Sequence, residues 1–254
     1  MVNVKVSLVT ISYNSVKTIQ QCIDSVASQT YKNVEYIIID GNSSDGTRDV
    51  ILKNKAHIHY FKSEEDDGIY DAMNKGIIQA TGDVVGLLNA DDYFANNNVV
   101  SEIAASFSQN NADLLYADLD YVNQNGKVMR RWRSGNYLHR KFNWGWMPPH
   151  PTFYAKREMF EHLGLYNSGY GTAADYELML RFMYLNKAKV FYLNKVIVNM
   201  TMGGVSNRNF INRIKAWKCD FRAMTNNHIN MPFLSLVLKP LRKVGQFNRL
   251  MSRS

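Results

Sequence analysis

An α/β fold on a mainly parallel sheet flanked by helices is predicted by three observations. Short apolar runs recur through the first half of the chain, each ends on a polar or acidic corner, and each is followed by a segment of helical periodicity. The clearest is residues 84–92, VVGLLNADD, where a buried-strand pattern stops on Asn89-Ala90-Asp91-Asp92. Open α/β sheets place ligands at that carboxyl edge. Adjacent carboxylates there repel each other and resist desolvation, which a divalent cation with oxygen ligands relieves; a solvated Asp-Asp turn is the other reading of these residues alone.

The elements follow in order. Residues 4–12, VKVSLVTIS, are β-branched and apolar and lead through Tyr13-Asn14-Ser15 into the amphipathic TIQQCIDSVASQ, giving strand, loop, helix. Residues 34–40, VEYIIID, repeat the pattern with Asp40 at the tip, then the turn-rich Gly41-Asn42-Ser43-Ser44-Asp45-Gly46 and a helix from Thr47. A short third strand is expected over 58–61 and a helix over 68–80 with Ile69, Met73, Ile77 and Ile78 on one side, before the strand that begins at Val84. Right-handed crossovers bring three tips together, 10–14, 40–42 and 89–92. Neither Gly-x-Gly-x-x-Gly nor a Gly-Lys-Ser/Thr phosphate loop follows the first strand, so a dinucleotide fold and a P-loop are excluded. Acidic tips suit a nucleotide whose ribose and base meet carboxylates and whose phosphates meet a metal.

Beyond, a helix over 97–110, a strand over 114–116 and a hairpin over 121–133 turning on Asn125-Gly126 are expected. Arg130, Arg131 and Arg133 with Trp132 make a basic, aromatic strand, either a charge-protected edge or a contact for an acceptor phosphate. Residues 143–152, NWGWMPPHPT, suit a loop packed over a site, and residues 166–181 pass from loop to a helix starting near Asp175. Strands over 190–192 and 196–201 and a GGVSN turn at 203–207 precede two helical segments, 207–224 and 232–250.

The chain has 254 residues, 46% of them hydrophobic, enough for one large α/β domain with an appendage. Its net charge of +8 is localised: residues 205–254 hold ten of the 30 Lys and Arg but only Asp220 of the 22 acids. A neutral body argues against nucleic acid, and a basic, partly apolar tail points to an anionic membrane face, with the last helix interfacial and kinked at Pro240 or else packed to close the domain. No apolar run is long enough to span a bilayer and the N-terminus lacks a signal-peptide layout, so a cytoplasmic location is expected. Cys22 and Cys219 fit a reduced compartment.

Thr10 with Tyr13-Asn14, then IIIDGNSSDGT, EDDGIYDAMNKGIIQATGD and LLNADD, in that order, resemble the nucleotide-binding half of the family 2 glycosyltransferases, which have the GT-A fold. The resemblance implies an inverting transferase that moves a sugar from a nucleotide diphosphate donor, by default a uridine one, to an acceptor hydroxyl with Mn²⁺ or Mg²⁺. Carried over residue by residue, it implies Thr10, Tyr13 and Asp40 around the base, with Asn42, Asp67, Asp71 and Asn74 also on the donor, Asp91 at the ribose or diphosphate, and Asp92 on the metal with Asp91 as second ligand. It makes Asp175 the catalytic base and puts His150 and Trp146 at the acceptor or diphosphate. Asn89 and Ala174 depart from the family pattern, standing where acids are common. The implied organisation is a GT-A domain over 1–204, divided into a donor half, 1–95, and an acceptor half, 96–204, followed by a helical basic extension over 205–254. A polyprenyl-diphosphate-linked glycan is the implied acceptor; a non-catalytic nucleotide-sugar-binding scaffold is the alternative.

Overall fold

The computed structural model describes residues 3–202 and 210–248. The central strand β1 (Val6–Ser12) is buried throughout and pairs in parallel with β2 (Val34–Asp40) and β4 (Val84–Leu87), while β2 pairs in parallel with β3 (Tyr60–Ser63). Because successive side chains of a strand point to opposite faces, Leu8 and Ile38 pack with α1 (Ile19–Ala27), α2 (Thr47–Lys53) and α4 (Val99–Asn110) on one side. Val9, Ile37 and Ile39 pack on the other with Met73 and Ile77 of α3 (Ile69–Gln79). The third strand starts later than its apolar pattern predicts. The Tyr36 backbone N–H donates to the His59 ring (3.0 Å), so the regular β2–β3 register begins only at Tyr60.

The sheet is parallel through β1–β4 and mixed beyond them. Next to β4 lies β8 (Tyr154–Lys156), antiparallel, and then β6 (Leu114–Val122), β9 (Val190–Thr201) and β5 (Asp92–Phe94); β7 (Val128–Trp132) pairs with β6 as the expected hairpin. Gly86 makes the β4–β8 junction possible, since a Cβ there would lie 2.0 Å from the Tyr154 ring. The strand expected over 114–116 continues through Asp118 and Asp120, and the two expected near the C-terminal end of the body are one, its Asn194-Lys195 interruption coinciding with a register shift against β6. The turn at 203–207 lies outside the described residues.

Glu35, at the outer end of β2, ties three elements together. Its carboxylate accepts from Ser7 Oγ (2.5 Å), from the Thr81 backbone N–H (2.8 Å) and hydroxyl (2.6 Å), and from Lys5 Nζ (3.0 Å). Burial pushes its pKa up, but these donors outweigh that and bring it down to about 2. A carboxyl lowered on folding stabilises above its ordinary value of about 4.5, and the contribution, up to about 3 kcal/mol, is lost as pH falls towards 2. Glu35→Gln is expected to lower stability by roughly 2 kcal/mol at pH 7 and by less than half of that at pH 3. Urea denaturation at the two pH values checks this; an equal deficit at both refutes it.

The rest of the chain completes the second half of the fold. After α5 (Arg157–Leu163), α6 (Ala174–Met179) begins one residue before Asp175 and runs on as a π-helical turn to Leu185. The tail forms α7 (Phe210–Asn226) and α8 (Pro232–Asn248), with Pro240 inside α8. Ala223, Met224 and Ile229 join the core that contains Tyr170 and Tyr176, and Ser235 Oγ donates to the Asn143 carbonyl (2.6 Å). No helix among the described residues is long and apolar enough to cross a membrane.

Candidate active site

The first two strand tips are stitched to each other. Asn14 and Asn42 both adopt left-handed backbone (φ +46° and +57°), a conformation asparagine tolerates. The Asn14 N–H donates to Ser43 Oγ (2.8 Å), its side-chain oxygen accepts from the Ser44 N–H (3.0 Å), and the Val16 N–H donates to Asp45 (3.0 Å). Asp40 is fully buried beneath and accepts from Ser12 Oγ (2.9 Å), Ser63 Oγ (2.6 Å), and the Ser43 N–H (2.9 Å) and hydroxyl (2.5 Å). Four donors fill the capacity of one carboxylate, so in this structure Asp40 organises the tip. Thr10 likewise faces inward: its hydroxyl accepts from Tyr36 (3.1 Å) beside Cys22, whose thiol burial pushes up to about 12.

Tyr13 is 68% exposed and its ring borders Gly41. A Cβ on Gly41 would lie 2.5 Å from Asp66 Oδ2 and 3.4 Å from the Tyr13 ring, so the glycine leaves room for a carboxylate next to an aromatic face. Asp66 was not singled out in the sequence, where the Glu64-Glu65-Asp66-Asp67 run gives no sign of which acid turns towards the tips. Asp67 is exposed, and its backbone N–H donates to Asp71 (3.2 Å), which also pairs with Lys75 (2.9 Å). Asn74 spends both ends of its amide on the Tyr166 backbone (2.9 Å each), fastening α3 to the loop before α6.

The third tip holds the acidic pair. Asp92 begins β5 opposite Met200 and is 1% exposed; Asn89 Nδ2 approaches its Oδ2 at 3.4 Å, and its Oδ1 has no partner among the described residues. Burial, then the charge of Asp91, pushes the Asp92 pKa well up. An acid at 89 would add a third charge there; the amide contributes a donor instead. Asp91 is half-buried; burial raises its pKa, eased by its own backbone N–H and then by the neighbouring His150. His150 sits between the two ends of the site, with Nδ1 3.4 Å from Asp175 Oδ2. Tyr70 stacks on Tyr166 with ring centres 5.6 Å apart, and burial, then the nearby charge of Asp175, raises the pKa of both phenols.

These carboxylates fit a divalent cation in one mode only. No group of three or more His, Cys, Asp or Glu among the described residues forms a ready metal cage. An orphaned buried carboxylate oxygen next to a half-buried second acid suits an ion held by one or two carboxylates and completed by substrate phosphates, as Mg²⁺ commonly is. Trp146 lies elsewhere: it is 6% exposed, its Nε1 donates to the Ser134 carbonyl (3.1 Å), and it packs edge-on to Tyr116 and Phe142.

A parallel first half with acidic strand tips, joined to a mixed second half carrying a carboxylate at a helix start, is the architecture of a glycosyltransferase of the GT-A fold. The family model described as glycosyl transferase family 2 matches residues 7–170, and the chain belongs to that family. It is 30% identical over 186 residues to an uncharacterized glycosyltransferase of Mycobacterium tuberculosis, covering 69% of this chain and 68% of that protein. It is 30% identical over 213 residues to a PGL/p-HBAD biosynthesis glycosyltransferase of Mycobacterium bovis, covering 79% and 78%. Among solved structures, S. aureus TarS 1–349 in complex with UDP-GlcNAc superposes with a TM-score of 0.70 at 19% identity, over 98% of this chain and 73% of that one. The mannosyltransferase PcManGT from Pyrobaculum calidifontis, in complex with GDP-Man and Mn²⁺, does so with 0.67 at 15%, over 99% and 76%.

Proposed function

We propose that this glycosyltransferase moves a sugar from a nucleotide diphosphate donor, by default a UDP-sugar, to a hydroxyl of a lipid-linked glycan, with inversion, in surface polysaccharide assembly. The observation that carries it is the Asp91–His150–Asp175 arrangement, which sets a carboxylate at the start of α6 across an imidazole from the acidic pair. An attacking hydroxyl must lose its proton as the new bond forms, and Asp175 is the base that takes it. One such carboxylate suffices for inversion; retention through a covalent intermediate would need a second as nucleophile. His150 positions Asp175. Tyr13, Asn42, Asp66 and Asp67 line the mouth where the nucleoside enters, and Asp40, Thr10, Asp71 and Asn74 shape it from behind.

Mn²⁺ or Mg²⁺ is the proposed cofactor, held by Asp91 and Asp92. When bound, it would supply positive charge to the departing diphosphate. The Mn²⁺ in the PcManGT complex supports that choice, and the UDP-GlcNAc in the TarS complex supports a nucleotide sugar.

Peripheral contact with the inner face of the cell membrane is part of the same reading. Ile214, Trp217 and Phe221 recur on one side of α7, and Phe233, Val237 and Leu241 on one side of α8, all more than a third exposed on a basic tail. The test is release of nucleoside diphosphate from a panel of nucleotide sugars with Mn²⁺ or Mg²⁺. Metal-dependent release from one donor is expected and names the sugar; neither turnover nor binding across the panel overturns the reading.

A further inference from the structure

A second enclosure lies on the acceptor half and includes none of the carboxylates above. It is a cavity of about 260 Å³ between β7, the loop 141–147 and α8. Arg131, Arg133, Lys141, Lys239 and Arg242 line it, and no acidic residue does. Two of these cations are neutralised from outside: Lys239 Nζ is 2.7 Å from Asp220, and Arg133 is 2.6 Å from Asp120.

Lys141 and Arg242 are not. Lys141 Nζ donates to the Asn136 carbonyl (2.5 Å) and Arg242 Nε to the Trp144 carbonyl (2.8 Å), and neither forms an ion pair among the described residues. Carbonyls hold these groups in place without cancelling their charge. Burial, and then the charge of Arg242, keeps the Lys141 ammonium below its usual range. The indole of Trp146, 5.7 Å from Lys141 Nζ, forms a rigid wall. A cationic pocket with no acidic side chain among the described residues that line it is built for an anion that accepts several hydrogen bonds. Its volume is below the roughly 300–1,000 Å³ of pockets that enclose whole ligands, so it takes a head group. The α8 wall also touches the helix that carries the base: Lys239 Nζ lies 3.7 Å from the ring centre of Tyr176, the residue after Asp175.

We propose that this cavity binds the phosphate or diphosphate of a phosphorylated acceptor, anchoring its anionic end while its hydroxyl is presented to Asp175. The identity of the ligand rests on the lipid-linked acceptor proposed above; the anion site itself does not.

The test is calorimetric titration of inorganic pyrophosphate in EDTA, which silences cation-dependent binding at Asp91 and Asp92. The proteins compared are the wild-type chain, Lys141→Ala with Arg242→Ala, and Arg242→Lys. The double variant is expected to bind at least tenfold more weakly and Arg242→Lys close to wild type, with unchanged nucleoside diphosphate binding in Mn²⁺ and unchanged melting temperature. Absence of pyrophosphate binding by the wild type, or equal binding by the double variant, overturns the site. A second arm distinguishes the phosphate's source. Displacement of pyrophosphate by a soluble short-chain prenyl diphosphate supports the acceptor; displacement only by phosphatidylglycerol vesicles assigns the pocket to bilayer head groups and overturns it. Donor hydrolysis is read separately, so failure of the cavity and failure of the donor reading give different results.

Discussion

Asp175→Asn is expected to lower kcat about 10³-fold while donor affinity stays within a factor of two. The amide keeps the size of the side chain and can still accept the Tyr176 N–H that now lies 2.7 Å from Asp175 Oδ1. What it loses is the ability to take a proton from the acceptor, which is needed only as the bond forms. A loss confined to kcat marks a transition-state role, whereas a helix-capping role would appear as lower stability with turnover kept. Steady-state kinetics with thermal melting separates the two, and a kcat within threefold of wild type removes Asp175 from the chemistry.

Asp92→Asn should move stability and activity in opposite directions. Folding raises the Asp92 pKa through burial and then the charge of Asp91, so the ionised carboxylate opposes folding at neutral pH and the penalty vanishes below its ordinary value. Neutralising it is expected to raise the metal-free Tm by a few degrees, from roughly 1–2 kcal/mol of relieved desolvation. The variant should also lose the further rise in Tm that Mn²⁺ with nucleotide gives the wild type, and release nucleoside diphosphate at least 10²-fold more slowly. Chelation of the wild type should reproduce the activity loss. An unchanged Mn²⁺ response in Asp92→Asn shows that Asp91 holds the ion alone.

The parallel first half was legible because its signals are local. Continuous apolar runs such as VEYIIID are what a strand covered on both faces requires, and their polar ends mark the tips without knowledge of pairing. What stayed hidden depends on distant partners. Asn74 reads as a pocket residue until its amide is seen bonded to Tyr166, 92 positions away. Thr10 sits at a strand end, but strand alternation turns it towards Cys22 and Tyr36. Asp92 looks like a turn residue, yet it opens a short strand paired with β9. The choice between Asp66 and Asp67 lay in backbone direction, which an unbroken acidic run does not encode. Charge alone also does not tell which cations are engaged: Arg130 is bonded to Gln246 and Arg133 to Asp120.

The seat of α8 against Gly145 has a consequence for where this protein divides. Gly145 is left-handed (φ +71°), and a Cβ there would come within 2.6 Å of the Ser235 carbonyl and the Lys239 backbone nitrogen, so helix and loop touch main chain to main chain. The abrupt change of charge near residue 205 is therefore a compositional border and not a mechanical one. A fragment cut there would lose the apolar surface that covers Tyr170 and Tyr176 and the helix that buttresses the approach to His150. The tail helices and the loop at Asn143 and Gly145 that leads towards His150 are packed against each other, so disturbing α8 reaches that loop directly.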